Sequence, residues 1–232
     1  TADLKLLEIT KSDTDIENYE EDIARVKREI TDLQTEILDQ TKITSKHGCP
    51  NIMINASYPR SKDWSKSSFD KITTKSLKEN VDMHMNSYAW LTIKFANLMK
   101  KNKIKGSIIL LNSIYGILGQ DLNIYKGTEI KPNPIYSLIK GGLKTFVKNT
   151  ASFYGKNQIR VNSVVCGGIE GHVAGLKNSQ SVRFKKNYSN QTLLKRMGKP
   201  EDIISSILLL SSDSSSYITG SDIVIDGGWS SI

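Results

Sequence analysis

The chain has 232 residues, enough for one sizeable α/β domain with a core that needs no staples. Two cysteines, Cys49 and Cys166, are too few for a disulfide framework and point to a reducing, cytoplasmic setting; no apolar run approaches the ~20 residues of a membrane span. The net charge of +8 comes from scattered lysines interleaved with acids, and aromatics are only 7%, so a base-stacking nucleic-acid platform is not expected.

Residues 14–40 carry apolar residues at helical intervals and read locally as a helix, although Val26 and Ile30 also suit a half-buried strand. "NIMIN" (51–55) is a compact apolar run between Pro50 and "ASYP" and reads as a buried strand. A helix follows through Leu91, Phe95 and Leu98 and closes on the lysine-rich "KKNKIKG". "SIILLNS" (107–113), "IRVNSVV" (159–165) and "SDIVIDGG" (221–228) are further strands, separated by the helices "IYSLIKGGLKTFVKNTASFY" and "PEDIISSILLLSS". Ile/Val/Leu-rich strands alternating with helices predict βαβ units and a parallel sheet covered on both faces, within one domain over 1–232. Residues 114–134 and 166–192 read as irregular, and loops that long in a compact domain are usually functional.

Ligands of open parallel sheets bind beyond the carboxyl ends of the strands, so Ala56, Ser57, Ser113, Ile114, Cys166 to Gly168 and Asp226 to Gly228 are expected to converge. Tyr136 and Lys140, at i and i+4, lie on one face of a helix. An unperturbed phenol is a poor base at neutral pH, and a fixed cation beside it lowers its pKa. With Ser113 donating to the same oxygen, the pair makes an acid–base site for carbonyl reduction or alcohol oxidation. In isolation the spacing is weak, common by chance, and favours a half-buried phenol beside an ordinary solvated lysine.

"SIYG" and Tyr-x3-Lys, followed by "IRVNSVVCGGI", "LLKRMGKPEDI", "SSYITG" and "DIVIDGGW", resemble the short-chain dehydrogenase/reductase family from about Ile52 to Trp229. The resemblance implies a Rossmann-like doubly wound sheet in three α/β/α layers, an NAD or NADP cofactor, and a homodimer or homotetramer acting on a small molecule. It implies that Ser113 orients the substrate carbonyl, Tyr136 is the acid/base, and Lys140 lowers its pKa and binds the nicotinamide ribose. "VCGGI" takes the place of the segment along the nicotinamide, with Cys166 where the family has proline, and with Gly167 and Ile169 beside the carboxamide.

The departures are informative. No glycine falls within the first 47 residues, so the family's Gly-x3-Gly-x-Gly phosphate loop is absent and the first βα unit is expected to be missing. Asp3 resembles the acid at the end of the second strand that binds the adenosine ribose, which would favour NAD over NADP. Glu29 and Ile30, in "REIT", take the place of the segment beside adenine, making Val26–Ile30 a strand. Asn55 matches one asparagine of Asn-Asn-Ala-Gly, and the second is Ala56 or is displaced. His84 falls at the helix asparagine that holds a relay water, with Asn86 two residues on; a histidine there can hold a water or shuttle protons near neutral pH.

"GQDLNIYKGTEIKPNP" lengthens the spacing from Ser113 to Tyr136, and with "ASYPR" resembles a subgroup associated with flagellin and surface-sugar modification. A sugar or nucleotide-sugar substrate is implied, with Arg60, Lys126 and Lys131 as partners for anionic groups. Cys49, His47 and His84 have no metal-ligand spacing, and no metal is expected. The absent loop leaves a second expectation open: a non-catalytic scaffold or fragment that cannot hold cofactor.

Overall fold

The computed structural model describes residues 44–171 and 180–231. The chain divides after Gly48, and the fold below is that of the unit beginning at Cys49; before it, residues 44–47 form a helical turn. The expectations for 14–40, and the roles of Asp3, Glu29 and Ile30, lie outside the described residues.

Four strands form one parallel sheet in the order β1 (Ile52–Asn55), β2 (Gly106–Ser113), β3 (Ile159–Cys166) and β4 (Asp222–Ile225). The helices are α1 (Thr74–Asn80), continued through a π-helical segment (Val81–Asn86) into α2 (Ser87–Lys101), then α3 (Pro134–Tyr154), α4 (Val182–Gln191) and α5 (Pro200–Ser211). β2 explains why parallel strands read as unbroken apolar runs. Ile108 and Leu110 face a cluster with Ala96, Met99, Ile139 and Leu143 from α2 and α3, while Ile109 faces Val164 and Leu210 of α5 on the other side. Each such side chain contributes about 1.5–3 kcal/mol on burial. Helices therefore cover both faces, as the alternation predicts.

α4 differs from expectation. Its sequence "VRFKKNYSNQ" is polar, with Phe184 and Tyr188 at helical spacing as its aromatic positions, and the stretch 166–192 read as irregular. The helix is started by the Ser181 hydroxyl, which accepts from the Phe184 N–H, and is anchored by Tyr188, which is buried.

β4 ends in a turn that requires glycine: Gly227 and Gly228 have φ of 66° and 84°. The Asp226 carboxylate accepts from the N–H groups of Gly228 (2.9 Å) and Ser230 (2.7 Å). That turn delivers Trp229 onto Tyr188, with ring centroids 4.5 Å apart. No helix among the described residues is long and apolar enough to cross a membrane.

Candidate active site

The end of β2 is pinned to α3. The Asn112 amide donates to the Lys140 carbonyl (3.2 Å) and its oxygen accepts from the Ser113 N–H (2.9 Å). Past Ser113 a short 3-10 turn brings Gly116 so near α3 that a Cβ there would lie 2.6 Å from the Lys140 carbonyl oxygen. This approach sets Ser113 against the first turns of α3. Those turns start where the sequence places them: Pro134 fits the first turn, and the Asn133 oxygen accepts from the Ile135 N–H (2.9 Å). The Asn133 amide also donates to the Trp64 carbonyl, tying the helix start to the loop after β1.

Lys140 is 4% exposed, and its ammonium donates to the Leu111 carbonyl at 3.0 Å. Its Nζ stands 4.9 Å from the Tyr88 ring centroid and 5.8 Å from that of Tyr136. Burial lowers its pKa from 10.5 to about 8. Burial also dominates at Tyr136, pushing the phenol up to about 12 although the Ser113 hydroxyl pulls the other way. The expectation that the lysine lowers the phenol's pKa is thus not met by the protein's own groups: burial dominates, and the lowering comes from the Ser113 hydroxyl. At neutral pH Tyr136 carries its proton.

His84 also departs from expectation. It is buried, in the π-helical segment, with ring centroids 5.4 Å from Tyr58 and 5.3 Å from Tyr88. Burial, then the Lys140 charge, lowers its pKa to about 3, so it stays neutral and does not titrate near neutral pH. Neither ring nitrogen has a hydrogen-bond partner. π-Segments within α-helices recur at functional sites, and this one turns an unpaired imidazole toward the Lys140 side of the site.

The strand ends open into a cleft of about 620 Å³ lined by Ala56, Ser113, Tyr136, Lys140, Gly167 and Ile169, together with an aromatic wall. Tyr58 meets Tyr136 edge-on at 5.8 Å, Tyr115 meets it at 6.2 Å, and Tyr125 and Phe184 pack on each other at 6.1 Å. Among the described residues, Lys140 is the one charged side chain in the lining. Arg60, Lys126 and Lys131 are not part of it, and Arg60 lies 5.7 Å from the Tyr58 ring centroid. The anion-pairing role expected of these three is therefore not built into the cleft lining; Lys126 and Lys131 are exposed and Arg60 is half-buried beside a lining tyrosine. Asn55 lies behind the lining, its oxygen accepting from the Ser57 N–H and hydroxyl, its amide nitrogen buried without a partner. Cys166 lines the cleft with its thiol pushed up to about 11 by burial, the setting of a packed and unreactive sulfur. No group of three His, Cys, Asp or Glu side chains that could hold a metal comes together among the described residues.

Several site residues escaped the sequence reading. Asn112 acts by bonding its side-chain amide to backbone groups and Gly116 by a close backbone approach, and no side-chain pattern announces either. Tyr58 stands in "ASYPR" two residues before Arg60, with no periodicity to mark it as a lining residue. The insertion "GQDLNIYKGTEIKPNP" supplies Tyr125 to the wall and is held there: the Gln120 amide donates to the Ser137 hydroxyl and the Tyr125 hydroxyl donates to the Gln120 oxygen.

A parallel α/β fold with a serine, a tyrosine and a lysine gathered at the strands' carboxyl ends defines a Rossmann-type dehydrogenase-like protein. Residues 40–230 match the family profile described as Enoyl-(Acyl carrier protein) reductase. The chain belongs to the short-chain dehydrogenase/reductase family. It is 27% identical to the post-translational flagellin modification protein A of Campylobacter coli, over 98% of this chain and 86% of that one. It is 31% identical to an L-rhamnose 1-dehydrogenase (NADP(+)) of Thermoplasma acidophilum, over 63% of this chain and 53% of that one. Of the latter, and of other curated sugar dehydrogenases it matches, the chain spans about half the length. A short-chain dehydrogenase of Leptospira borgpetersenii solved with bound NAD+ superposes with a TM-score of 0.73 at 30% identity, covering 84% of this chain and 71% of that one.

Proposed function

We propose that the protein is an NAD(P)-dependent oxidoreductase that interconverts a carbonyl and an alcohol, with Tyr136 as acid/base. The observation that carries this reading is the convergence of Ser113, Tyr136 and a buried Lys140 on one cleft. A non-catalytic scaffold has no use for a buried ammonium, which costs stability at neutral pH.

The residues present fit the nicotinamide riboside half of the cofactor. An ammonium has three N–H donors and the Leu111 carbonyl takes one, leaving two for ribose hydroxyls. Gly167 and Ile169 flank the cleft where the carboxamide would lie, with Asn55 and Ala56 at the end of β1 on the other side. When bound, the nicotinamide supplies or accepts the hydride. Tyr136, protonated at neutral pH, gives its proton to the developing alkoxide during reduction, while the Ser113 hydroxyl donates to the same oxygen. In oxidation the same atom takes the proton back and must first be ionised. Neutral His84, with one donor and one acceptor nitrogen, is suited to hold a water beside Lys140. NAD and NADP both remain cofactors of the family: the Leptospira relative holds NAD+ and the rhamnose dehydrogenase is named for NADP(+). The substrate class we infer is a sugar or sugar derivative. Its support is the likeness to the flagellin-modification protein and the rhamnose dehydrogenase, together with aromatic walls of the kind that stack on sugar faces.

The test is a calorimetric titration with NADH and NADPH, followed by turnover with L-rhamnose and D-arabinitol as trial substrates. Tyr136→Phe is expected to lower turnover by about 10²–10⁴-fold with cofactor affinity nearly unchanged. In the wild type, oxidation should accelerate with rising pH through the neutral range, as the phenolate fraction of a group with pKa about 12 grows, while reduction stays flat. Binding of neither nucleotide, or full turnover in Tyr136→Phe, refutes the reading.

A further inference from the structure

The turn that follows β3 is gripped by more than its own strand. The Gly167 N–H donates to the Ile225 carbonyl (2.8 Å), and the Gly198 N–H donates to the Gly168 carbonyl (2.9 Å). The Glu170 N–H donates to the Gly198 carbonyl (2.7 Å). Those bonds anchor the turn on the β4 side and beneath. From the substrate side, α4 supplies one decisive contact: the Tyr188 hydroxyl accepts from the Gly168 N–H at 2.5 Å. The hydroxyl end of the ring packs against the same residue, so close that a Cβ on Gly168 would stand 2.6 Å from Tyr188 Cζ. Tyr188 is 2% exposed and backed by Trp229.

The same helix reaches the other way. The Asn187 amide donates to the Ile124 and Lys126 carbonyls (3.1 and 3.0 Å), and Phe184 packs on Tyr125. Adjacent residues of α4 thus hold the insertion that walls the substrate side and the turn that borders the cofactor side. A phenol this well backed cannot follow small movements of the turn, so it fixes the plane of the Gly167–Gly168 peptide.

We propose that Tyr188 is a positioning residue: through its hydrogen bond and ring contact to Gly168 it holds the Gly167–Ile169 turn in the form that receives the nicotinamide end of the cofactor. The inference rests on the oxidoreductase reading above and adds a residue to it from outside the Ser–Tyr–Lys group. Tyr188 touches neither reacting atom. Its effect is confined to the nicotinamide end of the bound dinucleotide, which the experiment exploits.

The full chain and its Tyr188→Phe and Gly168→Ala variants are titrated calorimetrically with NADH and with ADP-ribose, which keeps the adenosine, pyrophosphate and ribose but lacks nicotinamide. Tyr188→Phe removes one hydrogen bond and is expected to weaken NADH about tenfold while leaving ADP-ribose within about twofold. Gly168→Ala, which displaces the ring, is expected to show the same selective loss, and a larger one. Equal losses for both probes would mark Tyr188 as a general structural residue and overturn the proposal, as would unchanged NADH affinity in both variants. A wild type that binds ADP-ribose, with only the variants unselective, sinks Tyr188 alone; a wild type that binds neither probe sinks the oxidoreductase reading itself.

Discussion

Replacing Lys140 by methionine should make the protein more stable relative to wild type at pH 7 than at pH 9.5. The side chain is 4% exposed, and burial lowers its pKa from 10.5 to about 8. A shift of that size corresponds to about 3 kcal/mol of preference for the neutral amine in the folded state, at 1.36 kcal/mol per pKa unit. Because the folded pKa lies below the unfolded one, the unfolded chain binds more protons between the two values, and stability rises with pH there. Below pH 8 both states are charged and the full cost is present; by pH 9.5 the folded protein has shed the proton and about 2 kcal/mol is recovered. Methionine has similar length and no charge, so the variant lacks this pH-dependent cost. Other titrating groups are common to both proteins and cancel in the difference. Urea unfolding of both at pH 7, 8 and 9.5 reads it directly. The gap should close in favour of the wild type by about 2 kcal/mol from pH 7 to 9.5. A gap that stays flat, or widens in favour of methionine as pH rises, refutes the claim that Lys140 is held as a costly buried cation. The same variant should bind NADH more weakly, since it lacks the N–H donors assigned to the ribose.

Gly116→Ala forces a Cβ to within 2.6 Å of the Lys140 carbonyl oxygen, which is backbone and can yield only if α3 shifts. Overpacking of that kind costs about 1–3 kcal/mol, or several degrees in Tm, and separates Ser113 from Tyr136; thermal melts and turnover should both fall, and an unchanged Tm would refute the close approach. His84 has a folded pKa of about 3 against 6.5 unfolded, so the unfolded state binds the extra proton and stability is lost as pH falls through that window. His84→Gln should flatten the acid loss by up to about 1.4 kcal/mol per pH unit, measured by unfolding between pH 6.5 and 4; an identical slope would show that the imidazole is not held neutral.

How much of this was legible beforehand follows from where the information resides. β2 and β3 are buried on both faces, so their apolar runs are long and their ends are marked; Ser113 and Cys166 fall where the strands predict. Pro134 and Asn133 mark the start of α3, which fixes Tyr136 and Lys140 one turn apart on one face. Spacing says that two side chains are neighbours, but not which charge state their surroundings favour. That depends on burial by residues distant in sequence, which raises the phenol of Tyr136 where a lowering was expected and keeps His84 neutral where titration near neutral pH was expected.

α4 was hidden for a related reason. Its apolar contacts are few and aromatic: Phe184 and Tyr188, one helical turn apart, meet Tyr125 and Trp229, and two such positions among charged and polar residues make too short a stripe to stand out in the sequence. A helix stabilised in that way is a link between the walls of a site more than a part of the core. Its two adjacent ties, Asn187 to the insertion and Tyr188 to Gly168, make the insertion and the Gly167–Ile169 turn mechanically one piece. The insertion after Ser113 can therefore vary in sequence to suit a substrate only while it preserves the carbonyls of Ile124 and Lys126 that α4 holds. Changes that release Asn187 should be felt at the Gly167–Ile169 turn as well: Asn187→Ala should weaken NADH in a calorimetric titration, and unchanged NADH affinity would refute that coupling.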